Sequence, residues 1–199
     1  MEFHIKDRIK PDAKILLIKL RSIGDVVYNT AVYSPIKKHL PNARLTVLVE
    51  SASYEIVKNH PDVDEVLCFK KGSFLDQVKF YLNLIWSRYD VAIDMHEGTR
   101  GAVMCFLSFA RFRIGGKFAR RSFLYNTKIN FSDLKPAIPL DYQVALIKKL
   151  GVPFGNPQPI IHVSDAWRKS AYDLLISKNF DPEKPYCIIH PGARKYDQW

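Results

Sequence analysis

The sequence predicts an α/β fold, a Rossmann-like parallel sheet with helices on both faces. Three observations carry that expectation. Short apolar runs recur without polar alternation, as in strands covered on both sides. Segments whose apolar residues repeat at helical spacing lie between those runs. Proline, glycine and asparagine punctuate the joins.

The first run, Lys14 to Leu20, is a strand, and the turn after it contains Gly24. Val26, Thr30, Tyr33, Ile36 and Leu40 then step round as one helix, which Pro41-Asn42 stops. Arg44 to Glu50 is the second strand. Ser51 is positioned to cap a short helix ending near His60-Pro61. Val63 to Phe69 is the third strand. The helix from Ser73 to Arg88 has Phe74, Val78, Leu82, Ile85 and Trp86 as its apolar face. Asp90 to Asp94 is the fourth strand, Gly101 to Ala110 an apolar helix packed on the sheet, and Phe112 to Gly115 the fifth strand. A helix over Pro139 to Leu150 is closed by Gly151 at its C′ position.

After Pro153 come several prolines and glycines and a short extended piece, Ile160 to His162. Ser164 caps an amphipathic helix running to Lys178, with Trp167, Ala171, Leu174 and Leu175 on one side. Asp181 to Pro185 is a linker, and Tyr186 to His190 is a further strand. The expected division is therefore residues 1–180 as one domain and 181–199 as a linker and the first strand of a second, truncated α/β domain.

A chain of 199 residues with 47% apolar residues can bury a substantial core. No apolar run approaches the roughly 20 residues needed to span a bilayer. Met1 to Pro11 is polar and has no signal-peptide core, so a cytoplasmic location is expected. Cys68, Cys105 and Cys187 are odd in number and widely spaced. They fit small buried hydrophobes better than disulfides or a zinc site. The net charge of +10 points to a polyanionic partner: nucleic acid, an anionic membrane surface or a phosphorylated substrate.

In open α/β sheets ligands bind at the carboxyl ends of the strands. That rule selects Ser22 to Asp25, Glu50-Ser51, Asp94 to Arg100, and His190 to Arg194. The first loop lacks the G-x-G-x-x-G dinucleotide fingerprint. Asp25 at a helix start is either a capping carboxylate or a general base at the mouth of the cleft. Its charge would repel a phosphate at that helix end, so a neutral hydroxyl is the better partner there. Glu50 fits a solvated strand-end charge. Asp94, His96, Glu97 and Arg100 gather at one strand end. A metal there is conceivable, but no recognised ligand spacing supports it, and Asp94 equally serves to brace the loop.

Between Gly98 and Asn130 the chain carries Arg100, Arg111, Arg113, Lys117, Arg120, Arg121 and Lys128 and no acidic residue. A solvated basic face explains such a run, and an anionic sugar or lipid headgroup would fit it through bidentate arginine contacts. Interleaved Phe112, Phe118, Phe123 and Tyr125 would also suit single-stranded nucleic acid, but no nucleic-acid-binding motif is present. His190-Pro-Gly-Ala-Arg194 is a strand-to-turn element able to meet a phosphate, or an ordinary turn.

Together these stretches resemble the family 9 glycosyltransferases, the ADP-heptose:lipopolysaccharide heptosyltransferases. The resemblance rests on Ile15 to Asp25, Leu48-Val-Glu50, His60 to Val66, Tyr89 to Asp94, Arg113-Ile-Gly115, Leu146 to Gly151, and His190 to Arg194 with Trp199. The R-x-x-G-D loop and the H-P-G-A-R turn are its most specific parts. It implies the N-terminal half of a GT-B fold and inverting sugar transfer from a nucleotide-sugar donor, with ADP-heptose expected. It implies a lipopolysaccharide inner-core or lipid A-type acceptor, no cofactor, no bound metal and no nucleic acid. The enzyme would make peripheral contact with the cytoplasmic face of the inner membrane.

On this resemblance Asp25 is the base. Ser22, Gly24, Asp94, Arg100, Arg120 and Arg121 fall to acceptor binding, and Gly192, Arg194 and Lys195 to donor binding. One position departs from the family pattern. Asp197 stands where a lysine precedes the motif tryptophan by two residues, and Lys195 is the nearest substitute. The alternative reading is a non-catalytic truncated module that binds an anionic glycolipid.

Overall fold

The computed structural model describes residues 3–134, 138–156 and 158–189. Ile15 to Ile18 are fully buried, as expected of an unbroken apolar run placed at the centre of a sheet. This run is β1 (Lys14–Ile18). The other strands are β2 (Arg44–Glu50), β3 (Glu65–Phe69), β4 (Val91–Asp94), β5 (Phe112–Gly116) and β6 (Thr127–Ile129). They form one six-stranded sheet in the order β3-β2-β1-β4-β5-β6. Every pairing is parallel, with Leu17 opposite both Val47 and Ile93.

The helices are α1 (Ile23–Asn29), α2 (Tyr33–His39), α3 (Tyr54–Val57), α4 (Phe74–Trp86), α5 (Thr99–Leu107), α6 (Pro139–Lys149) and α7 (Asp165–Ser177). Two apolar clusters cover the two faces of the sheet. One joins Ile15, Leu17, Val47 and Ile93 to Tyr33, Ile36, Leu146 and Ile147, and the other joins Leu16, Ile18 and Leu48 to Leu84, Met104 and Cys105. The Rossmann-like expectation is met.

Several local expectations need correction. The single helix expected from Val26 to Leu40 is broken by a 3₁₀ turn at Thr30–Val32. Pro35 supplies the reason: it has no N–H to return to Ala31, and its ring crowds that carbonyl. Ser51 caps nothing with its side chain; it opens a 3₁₀ turn, Ser51–Ser53, that leads into α3. β6 went unseen because it is three residues long and buries only Ile129.

Helix α4 is well capped: the Asp76 N–H donates to Ser73 Oγ at 3.3 Å, and the Asp76 carboxylate accepts from the Ser73 N–H at 3.2 Å. However, its expected apolar face points outward, with Phe74 79% and Trp86 73% exposed. The helix is apolar on two sides. The side that packs carries Phe80, Tyr81 and buried Leu84, with the Phe80 ring edge-on to Phe69 at 5.1 Å. α6 ends as foreseen, with Gly151 left-handed at φ +79° just beyond it. Cys105 is buried, but Cys68 is half-buried and Cys187 exposed, so the buried-hydrophobe reading fits only the first.

By internal packing the chain divides into two compact units, Met1–His162 and Val163–Trp199. The first contains the sheet and α1 to α6. In the second, Ser164 Oγ accepts from the Trp167 N–H at 3.2 Å, as the sequence indicates. No residue of α7 is buried, and of its expected apolar face only Trp167 and Leu175 are half-covered. Tyr186 to Ile189 do not form the expected strand, and Ile188 and Ile189 are more than four-fifths exposed. A strand needs a neighbour for its ladder of hydrogen bonds, and none is present for this one among the described residues. His190 lies outside the described residues.

Candidate functional site

The strand order reverses between β1 and β4, and in such sheets the crevice beyond the carboxyl ends at that point is the natural binding place. Two loops meet there, Lys19 to Ser22 after β1 and Met95 to Gly98 after β4.

On the β1 side Ser22 is the N-cap of α1 and Asp25 is its third residue. The Asp25 Oδ2 accepts from the Ser22 N–H at 2.9 Å and from Ser22 Oγ at 3.2 Å. The capping role is thus real, and it uses one oxygen. Among the described residues no hydrogen bond is made to Oδ1, and Asp25 is half-buried. Gly24 is exposed, and no atom lies within 4 Å of where its Cβ would be, so the loop is open on that side.

α1 has only seven residues, but it is anchored by a buried polar chain. Gln143 Nε2 donates to the Asp25 carbonyl at 3.3 Å, Asn29 Nδ2 donates to Gln143 Oε1 at 2.7 Å, and Tyr33 OH donates to Asn29 Oδ1 at 3.1 Å. Asn29 and Gln143 are essentially inaccessible, so the network meets the rule that buried polar groups must be satisfied.

Lys19 lies under this loop, 7% exposed, its Nζ donating to the Met95 carbonyl at 3.0 Å. Burial lowers its pKa, and the charges of Asp25, Asp94 and Glu97 oppose that fall. The ammonium therefore sits among three carboxylates. Asp94 closes the far side, fully buried. Tyr125 OH donates to its Oδ2 at 2.7 Å, and the His96 and Glu97 N–H groups donate to its Oδ1 at 2.8 and 3.2 Å. Desolvation pushes its pKa up to about 6 against these bonds. Glu97 accepts from Tyr142 OH, and burial raises its pKa as well. Burial lowers the pKa of His96, aided by the charges of Lys19 and Arg21.

The start of α5 sits directly on Asp94. A Cβ at Gly101 would come within 2.5 Å of Asp94 Oδ1, so only glycine permits this approach. Above these groups opens a cavity of about 540 Å³, lined by Arg21, Tyr81, His96, Glu97, Thr99, Arg100 and Arg120 among others. Arg100 Nη1 donates to Glu50 Oε1 at 2.5 Å, and its guanidinium lies over the Phe69 ring. Glu50 is therefore ion-paired rather than a free strand-end charge. Among the described residues no three His, Cys, Asp or Glu side chains converge as metal ligands.

The residues singled out from sequence separate accordingly. Ser22, Gly24 and Asp25 share the N-terminal turn of α1, and Arg100 and Arg120 line the cavity. Arg121 is exposed on the same connection but does not line the cavity. Asp94 lies beneath the cavity and supports its loop from within. Gly192, Arg194 and Lys195 lie outside the described residues. Arg113, part of the basic run, turns inward to the carbonyls of Leu124 and Ala110. Sequence reasoning missed Lys19, Asn29, Tyr125, Tyr142 and Gln143. Only Lys19 offered a signal, a charge near the end of an otherwise apolar strand.

Residues 78–198 match the model of glycosyltransferase family 9 (heptosyltransferase). The chain belongs to that family. It is 23% identical over 186 residues to lipopolysaccharide heptosyltransferase 3 of Escherichia coli strain K12, covering 88% of this chain and 53% of that protein. Lipopolysaccharide core heptosyltransferase OpsX of Haemophilus influenzae is 22% identical, covering 92% of this chain and 52% of that protein. Among solved structures, the family 9 glycosyl transferase from Veillonella parvula superposes with a TM-score of 0.72 at 19% identity, covering 92% of this chain and 52% of that one. E. coli heptosyltransferase WaaC with ADP-2-deoxy-2-fluoro heptose gives 0.64 at 21% identity, covering 73% and 51%. The chain thus spans about half the length of the curated relatives it matches, and it shares the fold of the solved family 9 structures.

Proposed function

We propose that this chain is the acceptor-side half of an inverting heptosyltransferase that moves a sugar from ADP-heptose to a lipopolysaccharide inner-core acceptor. The observation that carries the reading is Asp25: a carboxylate at the topological switch point, fixed through Oδ2 and the chain to Gln143, with no hydrogen bond made to Oδ1 among the described residues. The acceptor hydroxyl attacks the anomeric carbon of the donor sugar and gives its proton to Asp25 Oδ1. The bond from that carbon to the diphosphate oxygen breaks, and the diphosphate leaves with the electron pair. Nearby cations offset the charge that develops.

In this scheme Ser22 and Gly24 form the wall beside the base, and Arg100, Arg120 and Arg121 hold acidic groups of the acceptor. Asp94 keeps the β4 loop in place. Gly192, Arg194 and Lys195 meet the donor phosphates in a second domain, of which residues 181–199 are the beginning. The work takes place on the cytoplasmic face of the inner membrane. Family membership supports the reaction class, and the names of the relatives support the choice of donor and acceptor.

Asp25→Asn, in this chain joined to a family donor domain, tests the proposal. Asparagine keeps an oxygen for the Ser22 cap but cannot take a proton. Transfer falls about 10²–10⁴-fold with thermal stability retained. Unchanged transfer would remove Asp25 from the chemistry and favour a binding module.

A further inference from the structure

We propose that the outward face of α4 docks on an anionic lipid bilayer. Phe74, Leu75, Val78, Leu82 and Trp86 are 79, 68, 36, 39 and 73% exposed. At spacings of three and four residues they form one stripe along the helix. A 13-residue helix is about 20 Å long, too short to span a membrane and long enough to lie along its surface. The aromatic rings stand at the two ends, where an interfacial helix places them.

The charge around the stripe selects the partner. From Lys70 to Arg88 the chain carries Lys70, Lys71, Lys79 and Arg88 against one acid, Asp76. All four cations are exposed, and none makes an ion pair among the described residues. Asp76 is engaged by the cap of its own helix through Ser73. An apolar row fringed by unpaired cations matches acidic headgroups above acyl chains. A second copy is a poor occupant, because a two-fold contact would set this basic segment against itself.

The surface also adjoins the site, since Tyr81 of the same helix lines the cavity with Arg100 and Arg120. The assignment rests on the proposed glycolipid acceptor for its purpose: a lipid-anchored substrate is met by a cavity that lies beside the membrane surface. Its test is independent of that reading.

Co-sedimentation of the whole chain with vesicles of phosphatidylethanolamine and phosphatidylglycerol, free of glycolipid, provides the measurement. The chain binds these vesicles and binds phosphatidylcholine vesicles weakly, and added salt reverses binding. Leu82→Ser with Trp86→Ser lowers the partition coefficient by about tenfold or more. Lys70→Gln with Lys71→Gln lowers it by about thirtyfold, roughly fivefold for each cation. All four side chains are exposed, and circular dichroism confirms that both variants keep the fold. Absence of vesicle binding by the parent chain overturns the proposal, as does binding by both variants at the parent level. Self-association that is lost in the serine variant, without vesicle binding, overturns it in favour of a second copy. Because no glycolipid is present, a negative result leaves the transferase reading intact. A catalytically silent Asp25→Asn variant that still binds vesicles leaves the docking assignment intact.

Discussion

Replacing Asp94 with asparagine tests whether a buried carboxylate is held at a cost beneath the β4 loop. Asparagine keeps an oxygen for the His96 and Glu97 N–H groups, and its amide can donate to the Tyr125 hydroxyl, so the loop retains its bonds. What changes is the charge. The Asp94 pKa stands at about 6 against an ordinary 3.8. Between those values the folded protein binds a proton that the unfolded chain has released, so stability must fall as pH rises from about 4 to 6. A rise of roughly two pH units at ~1.4 kcal/mol per unit makes the full effect ~3 kcal/mol. The cost is complete above pH 6 and absent below the ordinary value. Urea denaturation of both proteins between pH 3 and 7 measures it. Relative to the parent, Asp94→Asn gains about 3 kcal/mol on going from the acidic to the neutral end. Parallel stability curves for the two proteins would refute the reasoning.

Two further predictions concern the scaffold of the site. Gly101→Ala drives a methyl group onto Asp94 and destabilises the fold by about 1–3 kcal/mol despite the better helix former, measured by denaturant midpoint. Gln143→Leu removes the acceptor for Asn29 Nδ2 and the donor to the Asp25 carbonyl. It costs about 1–3 kcal/mol in the same assay, whereas an exposed control such as Gln158→Leu costs little.

The central strands were legible because β1 and β2 are apolar on both faces, a pattern that only a doubly covered sheet requires. The R-x-x-G-D loop was legible because the end of a strand and the start of a helix meet within a few residues. What escaped is long-range. Tyr125 reaches Asp94 across 31 positions and Tyr142 reaches Glu97 across 45, and no local spacing announces either bond. Lys19 was hidden because a lysine near a strand end ordinarily points to solvent, and only the converging carboxylates explain why this one is buried. The direction of α4 escaped for another reason. Period alone cannot choose between two apolar faces, and the choice fell to Phe69, whose ring receives Phe80. His190 to Arg194, the other specific stretch of the sequence, lies outside the described residues.

The polar chain from Tyr33 through Asn29 to Gln143 has a consequence for how this chain can change over time. A helix of seven residues cannot hold its own shape in water, so the position of Asp25 is borrowed from α6, more than a hundred residues downstream. A shift of 1 Å at a reacting group can cost on the order of a hundredfold in rate. If Asp25 has its proposed role, substitutions that merely loosen α6 would thus register as lost reactivity at a turn they never touch. The segment around Gln143 inherits the constraints of the site while looking, in the sequence, like an ordinary stretch of helix.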